Sequence, residues 1–297
     1  MQNSFKLKLL PILSVVLMTF FWGYNWVVMK QAVQLVGPWE FAFIRNFFGA
    51  LILLVLLVLM QKSLKIINFK FVFLIGMFQM IGFTVLVLVA LVNGGTAKTS
   101  VLTFTMPIWA NLLALYFLKE KMTNKQILAI AVSLIGLILI FDPVHKNADF
   151  NSMLIAISAG FFWGCGVISV KKYNKKYPQV DLLNLTAWQM LLGSLPILIV
   201  ILAKGIEIYE INPYFWKASL FNIIFCNALA WLLWNYGVKH LKTGEVSTIS
   251  LLAPVIGSLA AFLELHEALK INEGIGLIMI FSGVLFMILL ASREGSK

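Results

Sequence analysis

Ten apolar runs, each near the length that crosses a bilayer, leave this chain little else to fold into. A membrane-spanning helix needs about 20 largely apolar residues. Runs of this kind cover Leu10–Met29, Pro38–Met60, Phe71–Val92, Ser100–Leu118 and Gln126–Phe141, then Met153–Val170, Leu182–Ala203, Trp216–Val238, Val246–Leu263 and Ile275–Leu290. Short breaks rich in charge, Gly, Pro or Asn separate them. The expected fold is an all-α integral membrane protein of ten transmembrane helices. Of 297 residues, 61% are hydrophobic and 12% charged, too few charges to coat a soluble globule of this size. Lys6 and Lys8 ahead of Leu9–Leu17 imitate a signal peptide. However, no small-residue cleavage site follows, and the run continues into Phe20-Phe21-Trp22-Gly23-Tyr24-Asn25-Trp26, so it reads as a retained first helix.

The net charge of +11 suggests nucleic acid until the charges are located. Lysines concentrate in short loops, as in Lys62, Lys65 and Lys70, then Lys119, Lys121 and Lys125, then Lys171, Lys172, Lys175 and Lys176. That pattern suits anionic headgroups and topology control, and no nucleic-acid partner is expected. Sixteen of the 23 Lys and Arg fall on one set of helix ends and six on the other, with Arg45 inside a span. An even number of spans then places both termini in the cytoplasm.

The two halves repeat one another. Phe20-Phe21-Trp22-Gly23 returns as Phe161-Phe162-Trp163-Gly164, Lys30 aligns with Lys171, and Gly49 aligns with Gly193. Thr96, Pro107, Glu120 and Gly136 match Thr243, Pro254, Glu267 and Gly283 at one constant spacing. A five-helix unit is odd-numbered, so its second copy enters the membrane inverted. The expected domains are residues 1–146 and 147–297. Inverted repeats are a recurrent architecture of secondary transporters, with the solute site near the midplane between the halves.

In order and spacing, this set of residues resembles the drug/metabolite transporter superfamily, specifically its EamA-type members. The carrying pattern is the early Phe-Trp-Gly helix, then Phe41-Ala42-Phe43-Ile44-Arg45, the Pro107 helix ending at Lys119-Glu120-Lys121, and Gly136, with the echo Pro254, Glu267 and Gly283. The resemblance covers nearly the whole chain. It implies ten helices with both ends cytoplasmic, a central cavity walled by helices one to four and six to nine, and export of amino acids or related metabolites. Gln189 stands opposite Arg45 in the second half, and Cys165 opposite Tyr24, so the expected cavity is chemically asymmetric.

Trp22, Asn25, Trp26 and Met29 share one helix face, and such an aromatic stripe with one amide suits either a solute cavity or helix packing. Arg45, about 10 Å along its helix from Pro38, is a candidate partner for a substrate carboxylate. The favoured alternative is a structural or gating use, by snorkelling or by pairing with Glu40 or a freed carbonyl. Pro107 and Pro254 are candidate kinks or hinges at matching positions. Trp163, Trp188, Gln189, Trp231, Trp234, Asn235 and Tyr236 are further wall candidates, and Gln79, Asn111 and Asn227 are intramembrane amides that contact solute or glue helices. Glu120 and Glu267 read as solvated turn contacts. Cys165 and Cys226 read as packing residues, and His145, His240 and His266 lie in loops, so neither a metal site nor a cofactor is expected. Gly94-Gly95-Thr96-Ala97-Lys98 fails the phosphate-loop spacing.

The expected function is alternating-access transport of an amino acid or similar small molecule, exported through a bacterial inner membrane. Drug-like solutes and nucleotide sugars are alternative cargoes. A membrane-embedded transferase would need paired carboxylates, a metal cluster or a nucleophile-base pair, and the sequence offers no catalytic set. A non-transporting scaffold would leave the matched prolines and polar cavity residues without use. Oligomeric state is not legible.

Overall fold

The computed structural model describes residues 2–94, 96–140, 150–265 and 271–294. Phe141, His145, Lys146, His266, Glu267, Lys270 and Lys297 lie outside the described residues, as do the side chains of Lys6, Thr96, Lys98, Glu264 and Arg293.

Among the described residues ten helices follow in order: α1 (Gln2–Ala32), α2 (Pro38–Leu59), α3 (Phe69–Val92), α4 (Thr96–Thr103 and Met106–Phe117), α5 (Asn124–Ile140), α6 (Phe150–Lys176), α7 (Leu182–Lys204), α8 (Pro213–His240), α9 (Thr243–Ile249 and Leu252–Leu265) and α10 (Ile271–Glu294). Nine contain stretches long and apolar enough to cross a bilayer, and the apolar part of α5, Asn124–Leu139, is shorter. Among the described residues there is no strand, only an isolated antiparallel bridge between Val36 and Ile208. The helix starts follow ordinary capping chemistry. Pro38 and Pro213 open α2 and α8, Asp181 accepts from Leu183 N at 2.8 Å, and Asn212 accepts from Phe215 N at 3.0 Å.

The halves interleave rather than standing side by side. Helix α1 packs on α8 and α9, and α6 packs correspondingly on α3 and α4. Helix α2 lies against α7 and α8, α7 against α2 and α3, and α5 against α10. Glycines set the closest approaches at repeat-related places. A Cβ on Gly23 would meet Ala253 O and Ile256 Cβ, each at 2.7 Å, and one on Gly164 would meet Ala110 N at 3.0 Å and Trp109 Cβ at 3.2 Å. Likewise Gly136 faces Gly276 O, and Gly283 faces Ala129 O, so the pseudo-two-fold runs between α5 and α10. Close backbone approach through small residues is how membrane helices associate without a hydrophobic drive between them.

The two glycines of the Phe-Trp-Gly repeats are not equally tolerant. At Gly23 the obstacle includes a backbone oxygen and a Cβ that cannot swing away, so Gly23→Ala is expected to cost about 1–3 kcal/mol. Gly164→Ala needs only a few tenths of an ångström and is expected to cost less than about 1 kcal/mol. The fraction of each variant surviving graded heating as monodisperse protein in detergent measures the difference. Equal survival would contradict this packing.

Both proline positions interrupt their helices. Phe104 and Thr105 separate the pieces of α4, and Ser250 and Leu251 those of α9, just ahead of Pro107 and Pro254. Proline lacks the N–H that would bond the carbonyl four residues earlier, here Thr103 and Ser250, and shorter turn bonds such as Ala253 N to Ser250 O at 3.0 Å replace it. A second pair of irregularities lies in α3 and α8, where Met77–Val85 and Asn222–Leu229 are wound as π-helix. In each, a side chain bonds a carbonyl five residues back: Thr84 Oγ1 donates to Gln79 O at 3.1 Å, and Asn227 Nδ2 to Asn222 O at 3.0 Å. Such bulges are frequent at functional sites because they release carbonyls from the helical ladder.

Candidate functional site

The four proposed stripe residues of α1 lie on one face by helical spacing, and the structure brings all four to one internal cavity. Trp22, Asn25, Trp26 and Met29 line it together with Arg45 from α2, Phe83, Thr84 and Val87 from α3, Thr103 and Phe104 from α4, and Trp231 from α8. Both halves therefore contribute. The π turn of α3 delivers Phe83 and Thr84, and the break in α4 delivers Thr103 and Phe104.

Aromatic rings close one end of this space. The Trp22 ring lies 5.5 Å from Trp163, 5.1 Å from Trp231 and 5.9 Å from Trp234, and Phe83 approaches Trp163 at 4.6 Å. The Trp22–Trp163 and Trp22–Trp231 contacts are edge-on, the arrangement favoured by ring quadrupoles. Trp22 Nε1 donates to Cys226 O in the π turn of α8 at 2.9 Å, which fixes the indole. The indole N–H groups of Trp163 and Trp234 are buried without a partner. The space left open is about 30 Å³, enough for a water or two, since each needs about 10–15 Å³. It is too small for an amino acid.

Arg45 is the charged side chain in this cavity. It is 5% exposed, its Nη1 lies 3.0 Å from Met29 Sδ, and its Nε has no hydrogen-bond partner. The carboxylate nearest in sequence, Glu40, is engaged elsewhere, where its Oε1 accepts from Glu207 N at 3.2 Å. Asn25 Oδ1 is also buried and unpartnered. The cavity thus combines a cation, an amide acceptor and an aromatic wall, all desolvated.

The remaining sequence-nominated residues are placed as follows. Trp163 packs in the aromatic cluster behind Trp22 without lining the open space. Gln79 is buried against Gly166. Asn111 Nδ2 donates to Pro107 O at 2.7 Å and to Ser247 Oγ at 3.3 Å, joining α4 to α9. Gln189 and Asn227 are fully buried outside the cavity wall. Trp188 stands apart, with Nε1 donating to Leu64 O of the α2–α3 loop at 3.0 Å. Phe83, Thr84, Val87, Thr103 and Phe104 escaped the sequence reading because nothing distinguishes them from packing residues in apolar helices. Cys165 and Cys226 are free thiols. Among the described residues no group of three or more His, Cys, Asp or Glu is placed to hold a metal.

Polar ties hold both ends of the bundle. At the end carrying most of the loop lysines, Lys8 Nζ meets Glu245 Oε1 at 2.8 Å, and Lys62 meets Asp181 at 2.6 Å. Glu120 does more than face solvent at a turn. Its Oε1 pairs with Lys171 at 3.1 Å and its Oε2 accepts from Thr243 N at 2.8 Å, while Lys171 also donates to Leu241 O at 2.7 Å. This lock joins α4, α6 and the start of α9. Burial pushes the Glu120 carboxyl up, but Lys171 and the Thr243 N–H outweigh it and hold the group below its ordinary value of 4.5. At the other end, Gly37 N donates to Glu207 O at 2.7 Å and Tyr209 N to Leu35 O at 2.9 Å, strapping the α1–α2 connection to the α7–α8 connection.

Comparison with known proteins gives a consistent picture. The sequence profile described as the EamA-like transporter family matches residues 9–142 and again 151–289. The uncharacterized transporter YoaV of Bacillus subtilis is 25% identical over 289 residues, covering 95% of this chain and 98% of the relative. A probable amino-acid metabolite efflux pump of Escherichia coli is 24% identical over 279 residues, 89% of each chain. A solved crystal structure superposes with a TM-score of 0.80 at 16% identity, over 96% of this chain and 98% of that one. That likeness speaks to the fold.

Proposed function

Because this chain belongs to the EamA-like transporter family, and is thus a multi-pass membrane transporter, we propose that it exports an amino acid or closely related zwitterionic metabolite by alternating access between its inverted halves. The carrying observation is Arg45, a desolvated cation with no carboxylate among the described residues paired to it, facing a cavity to which both halves contribute. Burying a charge is costly unless something pairs with it. A solute carboxylate supplies that partner in bidentate form, and the Asn25 carbonyl oxygen, buried without a partner, accepts from a solute ammonium in this reading. The tryptophans offer π surface to whatever the two ends carry. The efflux-pump relative from Escherichia coli supports the same cargo class. Drug-like cations are disfavoured, because Arg45 repels them, and nucleotide sugars remain the bulkier alternative.

In this reading residues 1–146 and 147–297 are the two repeat units, both termini are cytoplasmic in a bacterial inner membrane, and the lysine-rich end faces inward. The cavity of about 30 Å³ represents a contracted state, and solute entry displaces the Trp22–Trp163–Trp231 cluster. Pro107 and Pro254 serve as the hinges.

Counterflow of a panel of radiolabelled amino acids, amines, carboxylates and nucleotide sugars in proteoliposomes tests this, with and without a proton gradient. Zwitterionic amino acids are expected to exchange, whereas exchange confined to amines or nucleotide sugars would refute the cargo. Trp22→Ala is expected to lower zwitterion exchange about tenfold or more, through loss of ring contacts and the tie to Cys226 O, at near-normal membrane yield. Full activity would remove Trp22 from the solute path.

A further inference from the structure

A second cavity, of about 310 Å³, opens at the lysine-rich end, away from the aromatic one. Its wall is Leu118, Glu120, Lys171, Asn174, Lys175 and Lys239, from the ends of α4, α6 and α8. Three ammonium groups face one carboxylate there. Both oxygens of that carboxylate are already engaged, Oε1 by Lys171 and Oε2 by Thr243 N. The nearby Asp181 is held by Lys62 at 2.6 Å and feels Lys239 only at longer range. Glu245, which Lys171 also feels, is paired with Lys8 at 2.8 Å, so among the described residues the wall keeps a net positive charge.

The second observation concerns Asn174. It is 7% exposed, lines the cavity, and neither its Nδ2 nor its Oδ1 has a hydrogen-bond partner. A buried amide left unsatisfied costs about 1–3 kcal/mol, and Asn174 offers beside three lysines a donor that no described residue takes up. Lys171, its side chain only 12% exposed, is similarly desolvated.

We propose that this cavity is an oxyanion site that takes a phosphate group, with Lys175 and Lys239 supplying charge, Asn174 Nδ2 donating, and Lys171 at the inner wall. The volume accommodates a tetrahedral headgroup with its waters. Charge-assisted bonds to a phosphate are among the strong ones. The position at the helix ends is where lipid headgroups lie, and a free phosphorylated or inorganic anion presents the same chemistry.

The test uses the purified full-length protein in neutral detergent, titrated with sodium phosphate against sodium chloride at matched ionic strength. A parallel arm places it in phosphatidylcholine nanodiscs with and without phosphatidylglycerol, and reads retained lipid by native mass spectrometry. A saturable phosphate-dependent rise in unfolding temperature supports the site. Half-saturation is expected to move about tenfold higher in Lys175→Gln/Lys239→Gln, and about threefold or more in Asn174→Ala. Selective retention of phosphatidylglycerol, released by excess phosphate and lost in the same variants, also supports it and assigns the source to lipid. The lysine substitutions lie at the bundle end, so they keep the test valid should Asn174→Ala fold poorly. Absence of saturation in both arms, or binding unchanged in the variants, overturns the proposal.

Discussion

Replacing Arg45 by leucine is expected to move transport and stability in opposite directions. Two charge-assisted hydrogen bonds to a solute carboxylate, each about 1.5–3 kcal/mol, correspond to a loss of at least about a hundredfold in exchange of carboxylate-bearing solutes. Amidated analogues that never used the guanidinium should be spared. The same change removes a buried cation with no paired carboxylate among the described residues. Replacing such a group with an apolar one of similar volume is often neutral or stabilising, by about 1–4 kcal/mol, so the unfolding temperature should hold or rise. Arg45→Lys keeps the charge but loses the planar fork and is expected to retain roughly a tenth of the activity. Counterflow of an amino acid and its amide, alongside thermal unfolding, separates the possibilities. A leucine variant that unfolds early and loses both solutes equally would make Arg45 a scaffold residue.

Breaking the Glu120–Lys171 lock is expected to open the lysine-rich end. Lys171→Met strips one partner from a pair whose side chains are 12% and 28% exposed and also removes the donor to Leu241 O. Removing one side of a fully buried pair costs about 3–5 kcal/mol. The partial exposure of Glu120 reduces this to about 1–3 kcal/mol, which shifts a two-state equilibrium about 5- to 150-fold. Ser247 lies one turn behind the lock, against Asn111. In a background without Cys165 and Cys226, Ser247→Cys should react with a maleimide faster by that factor once Lys171 is methionine, and Lys171→Arg should restore protection. Unchanged labelling would show that other contacts hold this end.

The lock also has a defined acid limit. The Glu120 carboxyl is held below 4.5 in the folded protein, so its contribution is complete above that value and is lost only as pH falls through the depressed one. Titration of Glu120 should therefore not alter the labelling of Ser247→Cys between about pH 5 and 8, once the rate is corrected for ionisation of the thiol.

Much of this architecture was legible in the sequence because membrane helices announce themselves by apolar length, and because the Thr96-to-Gly136 series recurs intact in the second half. The Trp22–Met29 stripe was legible for a geometric reason too, a period of 3.6 residues that puts its members on one helix face. Trp188 shows the limit. Aromatic character said nothing about which way α7 turns its indole, and it reaches Leu64 O instead of the cavity. The π turns of α3 and α8 left no trace, since their sequences resemble any apolar helix interrupted by an amide. Pairings such as Lys8 with Glu245 join residues from opposite ends of the chain, and only the fold decides which loop lysine finds which carboxylate. Nor did the repeat disclose that each half threads through the other.

That threading bears on how the protein is made. Helices α3 and α4 leave the ribosome before α6 exists, yet Gly82 is shaped around the Phe162 ring and Gly160 around Thr103 O. The first five helices inserted must therefore wait in lipid with these grooves unfilled until the sixth arrives. The first half therefore completes its packing only after α6 has docked on α3 and α4 and α8 and α9 have closed over α1, so the halves are not two finished pieces that dock.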